Sequence, residues 1–568
     1  MQPPLTIWNL RQAPSPLPEF PEYGHQLPRL VRHLMAVRGL PGKVPVREFL
    51  QPKLADLSDP FELPNMRAAV DRLLAAIDNK EEICIYGDYD VDGVSSVTLL
   101  QRTLQAYGAN SRYFVPQRSA EGYGLSDAGI KRLLNEGVRP DLIVTVDCGT
   151  ASLEEIRNLK EQGIAVIIID HHQPHPDGLP DCEAVVNPQL GDDFGYLCAA
   201  GVVFKLAHAM LKTRRLADFD LKEFIDIAAV ATIADIVPLQ GENRLLVRHG
   251  LRQLTKTRNP GLKAVAEIAG LDLGRIPTGQ DIGFRIGPRI NAAGRMDQPE
   301  DALALLLTEC SDNAKAIAQE LDLHNSQRQK HELEIRTQAL EMVAENANFE
   351  NEPVIVLGSR DWHPGVVGIV ASRLMRQFHK PAFIISIDDN GIGKGSGRGI
   401  PGLSLVDAIH HCSDHLIAGG GHAMAAGLSV NEEQIDSFRA AFADYVNATL
   451  APEHRHPTLN IDAKVDFAEL ELSLLDSYEL LQPFGNSNPQ PMLMSSNVHL
   501  KEKPRELKNK HLKLSMHQNG ITRDAIFFSG AEHPLPPTPW DIAFTIDRNT
   551  FRGRTTLQII ITAIRAAE

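Results

Sequence analysis

Between Glu81 and Asp170 the chain alternates short apolar runs with longer stretches in which apolar residues recur every three or four positions. The runs EICIYG, DLIVTVD and AVIIID hold four to six apolar residues, many of them β-branched, which predicts strands buried on both faces. Between them, VSSVTLLQRTLQAYG and SLEEIRNLKEQG carry helical spacing, so this segment reads as βαβ units around a parallel sheet. MRAAVDRLLAAIDN adds a helix ahead of it. Residues 200–310 are predicted largely helical, most clearly in AAGVVFKLAHAMLK, KEFIDIAAVATIAD and PEDALALLLTE.

The pattern changes at Ser311. From there to about Asn348 the chain has no Gly or Pro and is rich in Ala, Leu, Glu, Gln and Lys, which predicts one long helix joining two lobes. A second α/β unit follows, with strands in EPVIVLGS and PAFIISID around the helix GVVGIVASRLMRQF, and with GKGSGRGIPG and AGGGHAMAAG expected as glycine-rich loops. From about Pro457 the runs PMLMSSNVHL, HLKLSMH, RDAIFFSG, WDIAFTID and TTLQIIITAI are of strand type and predict a small barrel. The expected domains are an N-terminal extension (1–60), a catalytic α/β domain (61–310), the connecting helix (311–348), a second α/β lobe (349–450) and the barrel (457–568).

Composition narrows the class. A chain of 568 residues exceeds a single core, and 43% hydrophobic with 23% charged residues describes an ordinary globular protein. No apolar run approaches the roughly 20 residues of a bilayer span. The opening MQPPLTIWNLRQAPSPLPEF has prolines where an export signal carries its apolar segment, so a cytoplasmic location is expected. Six scattered cysteines without a C-x-x-C pair argue against a disulfide scaffold or a zinc knuckle. The formal charge of -15 speaks against a protein that coats duplex nucleic acid but leaves room for local basic channels. A site built from carboxylates recovers positive character by binding cations.

The candidate chemistry lies where predicted strands end. The first delivers Asp88, Asp90 and Asp92 within YGDYDVDG, the next Asp147, and the third Asp170, His171 and His172. Ligands of open parallel sheets bind beyond the carboxyl ends of the strands, so these residues are expected to converge. Asp235 closes the helical FIDIAAVATIAD in an apolar setting, a partly buried charge in need of a partner. Clustered like charges repel unless a cation sits among them. A mixed carboxylate and imidazole set suits Mn²⁺, whereas Mg²⁺ prefers oxygen ligands and water, so a divalent site with manganese favoured is expected. Two ions about 3.5–4 Å apart would activate water and hold a phosphoryl group for in-line attack. In that scheme Asp92, Asp147 and His172 are the catalytic candidates, with His171 on metal and His172 donating to phosphate oxygens. For each acid alone, a helix cap or a solvated turn is the commoner role. Capping does not explain why all the clusters share one sheet edge. The spelling D-x-D-x-D-G also opens a calcium loop, but its twelfth position is Leu99 and a strand precedes it, so that reading fails.

These motifs, together with RIGPRINAAGR (Arg285 to Arg295), DWHPGVVGIVASRL (Asp361 to Leu374), GSGRG (Gly395 to Gly399), GGGHAMAAG and LQPFGNSNPQP (Leu481 to Pro491), closely resemble the DHH family of phosphoesterases over nearly the whole chain. Within that family the resemblance is to exonucleases that degrade single-stranded DNA from the 5′ end in repair and recombination. It implies an α/β DHH catalytic domain with a parallel sheet, a connecting helix, a DHHA1-type substrate-binding lobe and a C-terminal OB-fold barrel. By motif matching, Asp88, Asp90, Asp92, Asp147, His171 and Asp235 carry over as ligands of two Mn²⁺ or Mg²⁺ ions, with His172 beside the scissile phosphate.

Arg285, Arg289 and Arg295, among glycines and Asn291, can contact backbone phosphates, or else form interdomain salt bridges. The resemblance implies that Ser396 and Arg398 sense a terminal 5′ phosphate together with Arg118, and that Gly419, Gly420, Gly421 and His422 belong to the substrate-binding lobe. Tyr123 is a candidate for stacking on an unpaired base, and KEKPRELKNKHLK would add phosphate contacts from the barrel. Single-stranded DNA, a single-strand-binding protein and a helicase are the implied partners of a monomer that has no membrane association. Two rival readings stand beside this one. A DHH enzyme of short oligonucleotides, cyclic dinucleotides or pyrophosphate would need no barrel. A non-catalytic single-strand-binding scaffold would need no intact ligand set.

Overall fold

The computed structural model describes residues 6–20, 26–42, 44–122, 124–296, 298–532, 534–551 and 553–567. Strands Ile83–Gly87, Leu142–Val146 and Ala165–Ile169 form the middle of a five-stranded, wholly parallel sheet, with Ser111–Phe114 at one edge and Ala184–Val186 at the other. Alternate side chains feed two different cores. Ile83, Ile85, Val144 and Ile167 face one, while Cys84, Tyr86, Ile143, Val166 and Ile168 face the other. That is why these runs show no polar alternation. The register pairs Gly87 with Val146 and Val146 with Ile169, so the residues that follow the three strands emerge side by side. Helix Val91–Ala106 is buried on almost every side, between the sheet and helices Ala199–Thr213 and Ile225–Ala234.

The predicted long helix runs Ser311–Glu345, 35 residues or about 52 Å. Arg289 of the catalytic lobe holds it through Asp322 at 2.8 Å, and Arg373 of the second lobe holds it through Glu332. The second lobe is a five-stranded mixed sheet in the order Ala418–Gly421, Ala425–Asn431, Ile392–Arg398, Ala382–Ile387, Ile355–Ser359. The glycine-rich segments expected as loops are largely strands here. Their glycines make room for large neighbours: a Cβ on Gly397 would lie 2.3 Å from the Phe383 ring, and one on Gly393 2.7 Å from Ile385. Glycine in a strand marks such close approach as readily as it marks a turn.

The C-terminal strands Leu493–Leu500, Trp540–Phe551, Arg554–Ala566, Ile521–Phe527 and His511–Gln518 pair in that order. Leu493–Leu500 also pairs back with His511–Gln518, which closes the barrel. The first residues belong structurally to this end of the chain. Strand Ile7–Leu10 pairs in parallel with Thr458–Ile461, and helices Arg29–Val37 and Val46–Leu50 bury Leu30, Val31, Leu34 and Leu50 in the barrel's core. Among the described residues, no helix is long and apolar enough to cross a membrane.

Candidate metal centre

The turn after Ile83–Gly87 is shaped by its glycine. A Cβ on Gly93 would lie 2.3 Å from the carbonyl oxygen of Asp88, so only glycine lets the helix start fold back over the strand end. Asp90 caps that helix, its Oδ1 accepting from the amides of Asp92 at 2.9 Å and Gly93 at 3.1 Å. The capping reading is therefore true of one Asp90 oxygen. Asn291 accepts from the Val91 amide at 3.0 Å and fixes the same turn from another helix. Asp92 accepts from the amides of Ala199 and Ala200 at 2.7 and 2.9 Å, at the positive end of helix Ala199–Thr213. Asp147 sits in left-handed backbone, φ 63°, a conformation uncommon outside glycine that aspartate tolerates better than most residues.

The expected convergence is present. His171 Nε2 lies 3.3 Å from Asp147 Oδ1, 3.6 Å from Asp235 Oδ2 and 3.8 Å from Asp92 Oδ2. Ligand atoms around a shared ion at about 2.1 Å stand roughly 3 Å or more apart, and this spacing fits that arrangement. A second grouping joins Asp88, Asp90 and Asp147, and a third joins Asp147, His171 and His172, with donor atoms in each within 4.8 Å of one another. Asp147 belongs to two of the three groupings, one with Asp88 and Asp90 and one with His171 and His172.

The electrostatics point to missing positive charge. Asp147 Oδ1, Asp235 Oδ2 and His171 Nε2 are buried and have no hydrogen-bond partner among the described residues. The amides of Tyr89 and Gly124 lie near Asp88, but neither carboxylate oxygen makes a hydrogen bond of ordinary geometry. Burial, then repulsion from neighbouring aspartates, raises Asp88 and Asp147 well above the usual carboxylate range and pushes Asp235 up to about 9. Burial likewise raises Asp92 and lowers His171, leaving that imidazole neutral and able to ligate. A set of inward-facing carboxylate oxygens beside a neutral imidazole, with little else to compensate their charge, fits divalent ions.

His172 is set apart by Asp170. Its Nδ1 lies 2.8 Å from Asp170 Oδ1, which also accepts from the His171 and His172 amides, while Asp170 Oδ2 accepts from Thr150. Burial alone would lower His172, but the Asp170 hydrogen bond and charge push it up to about 9. Asp170 is held well below the usual range: burial opposes this, and the bond and charge of His172, the charge of His171 and the Thr150 amide together outweigh it. Asp170 was spelled out in the DHH triplet, yet its orienting role was not legible because it depends on which way the side chain turns.

The remaining predicted residues divide. Burial chiefly lowers Arg295 to about 10, helped by the nearby charges of Arg118, Arg398 and Arg328 of the connecting helix, and burial with the charge of Arg118 lowers Arg398. This gathering of four guanidinium groups from four elements included one, Arg328, that sequence reasoning missed, since nothing in a helical stretch marks it. Arg398 donates to Ser396 at 3.0 Å, and Arg295 donates to the Gly365 carbonyl at 2.9 Å. Arg285 is engaged by the Ala269 and Gly270 carbonyls and by Asp281, Arg289 by Asp322, and Asn291 by the Val91 amide. His422 is exposed in the turn before strand Ala425–Asn431. Tyr123 lies outside the described residues.

A parallel sheet with carboxylates and a DHH triplet at its strand ends defines a DHH-type protein. Family models agree: the DHH family N-terminal domain matches residues 82–232, the DHHA1 domain 351–448 and the RecJ OB domain 461–563. The chain is 34% identical over 580 residues to the single-stranded-DNA-specific exonuclease RecJ of Dickeya dadantii, covering 98% of each protein. It is 38% identical over 508 residues to the Bacillus subtilis protein of the same name, covering 89% of this chain and 63% of that protein's length. The crystal structure of Thermus thermophilus RecJ in complex with Mn²⁺ matches with a TM-score of 0.82 at 30% identity, over 99% of this chain and 80% of that one. The chain belongs to the RecJ family.

Proposed function

We propose that this protein is a 5′ to 3′ exonuclease that hydrolyses single-stranded DNA with two divalent ions, Mn²⁺ or Mg²⁺. The observation that carries the reading is the convergence of five aspartates and His171 around inward-facing oxygens that lack hydrogen-bond partners. Relatives support it: they are named single-stranded-DNA-specific exonucleases, and Thermus thermophilus RecJ was crystallised with Mn²⁺ and with Mg²⁺. Asp88, Asp90, Asp92, Asp147, His171 and Asp235 would hold the ions, which when bound supply Lewis acidity and an activated water.

The chain's own residues do the rest. Asp90 and Asn291 fix the turn that presents Asp88 and Asp92, and Asp170 orients His172 through Nδ1, so that donation toward a phosphate oxygen runs through Nε2. An imidazole raised to about 9 keeps its proton at neutral pH, as donation requires. Arg118, Ser396 and Arg398, with Arg295 and Arg328 beside them, would take the terminal 5′ phosphate. Arg328 is paired with Glu332 at 2.9 Å, and the gathered guanidinium groups suit a phosphate dianion. His422, Arg285 and Arg289 would serve the strand's path rather than the scissile group, and Tyr123 would stack on a base. The barrel favours a polymeric substrate over a cyclic dinucleotide. The family resemblance implies a cytoplasmic monomer working with a helicase and a single-strand-binding protein.

Digestion of 5′-labelled and 3′-labelled single strands, with Mn²⁺ or Mg²⁺ and a chelator control, tests the reading. Early release of the 5′ label, abolished by the chelator, is expected. Loss of the 3′ label first, or metal-independent release, would overturn it.

A further inference from the structure

We propose that Asn486, in the barrel, is a positioning residue for the metal centre: it holds the strained backbone that carries Asp235. The inference rests on the reading of Asp235 as a ligand. Asp235 ends helix Ile225–Ala234, its amide donating to Ala231 at 2.9 Å and the Ile236 amide to Ile233 at 3.3 Å, after which helical bonding stops. Ile236 stands in left-handed backbone at φ 61°, a conformation that a β-branched residue rarely adopts without being held. The Ile236 side chain is 69% exposed, so packing does not hold it. Its carbonyl is held instead: Asn486 Nδ2 donates to it at 2.5 Å.

The grip is two-handed. The Leu239 amide donates to the Asn486 carbonyl at 2.9 Å, so one barrel residue brackets the turn that follows Asp235. Gly485 permits the approach, since a Cβ there would lie 2.7 Å from Leu239 Cδ1. The barrel loop is itself immobilised from both sides. Asn488 Nδ2 donates to the Leu481 and Pro483 carbonyls at 2.9 and 2.8 Å. Buried Arg244 donates to Leu480 and Leu481 at 3.0 Å, and Arg248 to Gln482 at 2.7 Å, from the catalytic lobe. Asn243 Nδ2 donates to the Pro238 carbonyl at 3.0 Å inside the same turn. The motif LQPFGNSNPQP thus has a use apart from binding a strand: it ties the barrel to one ligand of the metal centre. Without the Asn486 donor, the Ile236 peptide is released to relax toward negative φ, which rotates the Asp235 carboxylate away from Asp92 and His171.

Titration of the full-length protein with Mn²⁺ alone, free ion being read by electron paramagnetic resonance, tests this. N486A is expected to weaken Mn²⁺ binding about tenfold, as loss of an outer partner does. The Mn²⁺ concentration for half-maximal release of nucleotides should rise by the same factor, with kcat at saturating metal largely kept. Ile236→Gly takes positive φ without strain, so the N486A penalty should shrink in that background, a non-additivity that a general loss of stability would not produce. Should N486A fail to fold by circular dichroism, N486D keeps the shape, removes the donor and is expected to show the same loss. Unchanged Mn²⁺ affinity in the Asn486 variant, with D235A weakened, overturns the positioning role alone. Unchanged affinity in D235A overturns the ligand assignment as well.

Discussion

Asp147 and Asp462 are both buried aspartates, 2% and 3% exposed, and the protein treats them in opposite ways. Asp462 lies where the N-terminal arm meets the barrel and is fully paired. Its Oδ1 accepts from Arg11 at 3.0 Å and Arg38 at 3.2 Å, its Oδ2 from Arg38 at 2.8 Å and the Met492 amide at 2.9 Å. Asp147 Oδ1 has no hydrogen-bond partner, its nearest acidic neighbours repel it, and its backbone is left-handed. The fold therefore has the means to satisfy a buried carboxylate, as it does for Asp170 at a neighbouring strand end, and withholds them at Asp147 Oδ1. Charge left uncompensated by folding is charge kept for a ligand.

The comparison can be broken at either pole. Asp147→Ala is expected to lower nucleotide release at least about 1000-fold, with circular dichroism unchanged. Asp462→Ala leaves Arg38 buried without its carboxylate. It should cost about 3–5 kcal/mol in the barrel's denaturant transition while sparing Mn²⁺ binding, which calorimetry would show. Mn²⁺ at about 100 times its dissociation constant should stabilise the wild type by about 2.7 kcal/mol in thermal unfolding, and Asp147→Ala should lose most of that gain.

Asp226 sharpens the contrast as a buried acid, outside the cluster, whose charged form burial disfavours. Burial pushes it up to about 6 from an ordinary 3.8. A folded pKa above the unfolded one makes its contribution full below about 4 and lost as pH rises through about 6. Asp226→Asn should therefore stabilise the protein by about 2 kcal/mol at pH 8 and hardly at all at pH 4, read from paired unfolding curves.

Much of this contrast was legible in the chain. Buried parallel strands announce themselves as unbroken apolar runs, and residues just past their ends converge by topology, so Asp88, Asp92, Asp147 and His171 could be grouped before any coordinates. Asp235 was found by a different signal, an acid in an apolar stretch. What stayed hidden depends on direction or distance. Asp170 and Arg328 act through where their side chains turn, and the pairing of Asn486 with Ile236 spans 250 residues, beyond any local pattern. The strands of the second lobe were obscured because glycine serves both turns and close packing. The N-terminal arm looked like an extension because its partner strand lies at the far end of the chain.

That arm has a consequence for how the protein is made. Strand Ile7–Leu10 leaves the ribosome 451 residues ahead of the segment it pairs with, Thr458–Ile461. The arm's Leu30, Val31 and Leu34 must wait in solution for a barrel still unwritten. A translation product cut short before that point carries a finished catalytic sheet beside an unsheltered greasy tail, a ready handle for proteolysis.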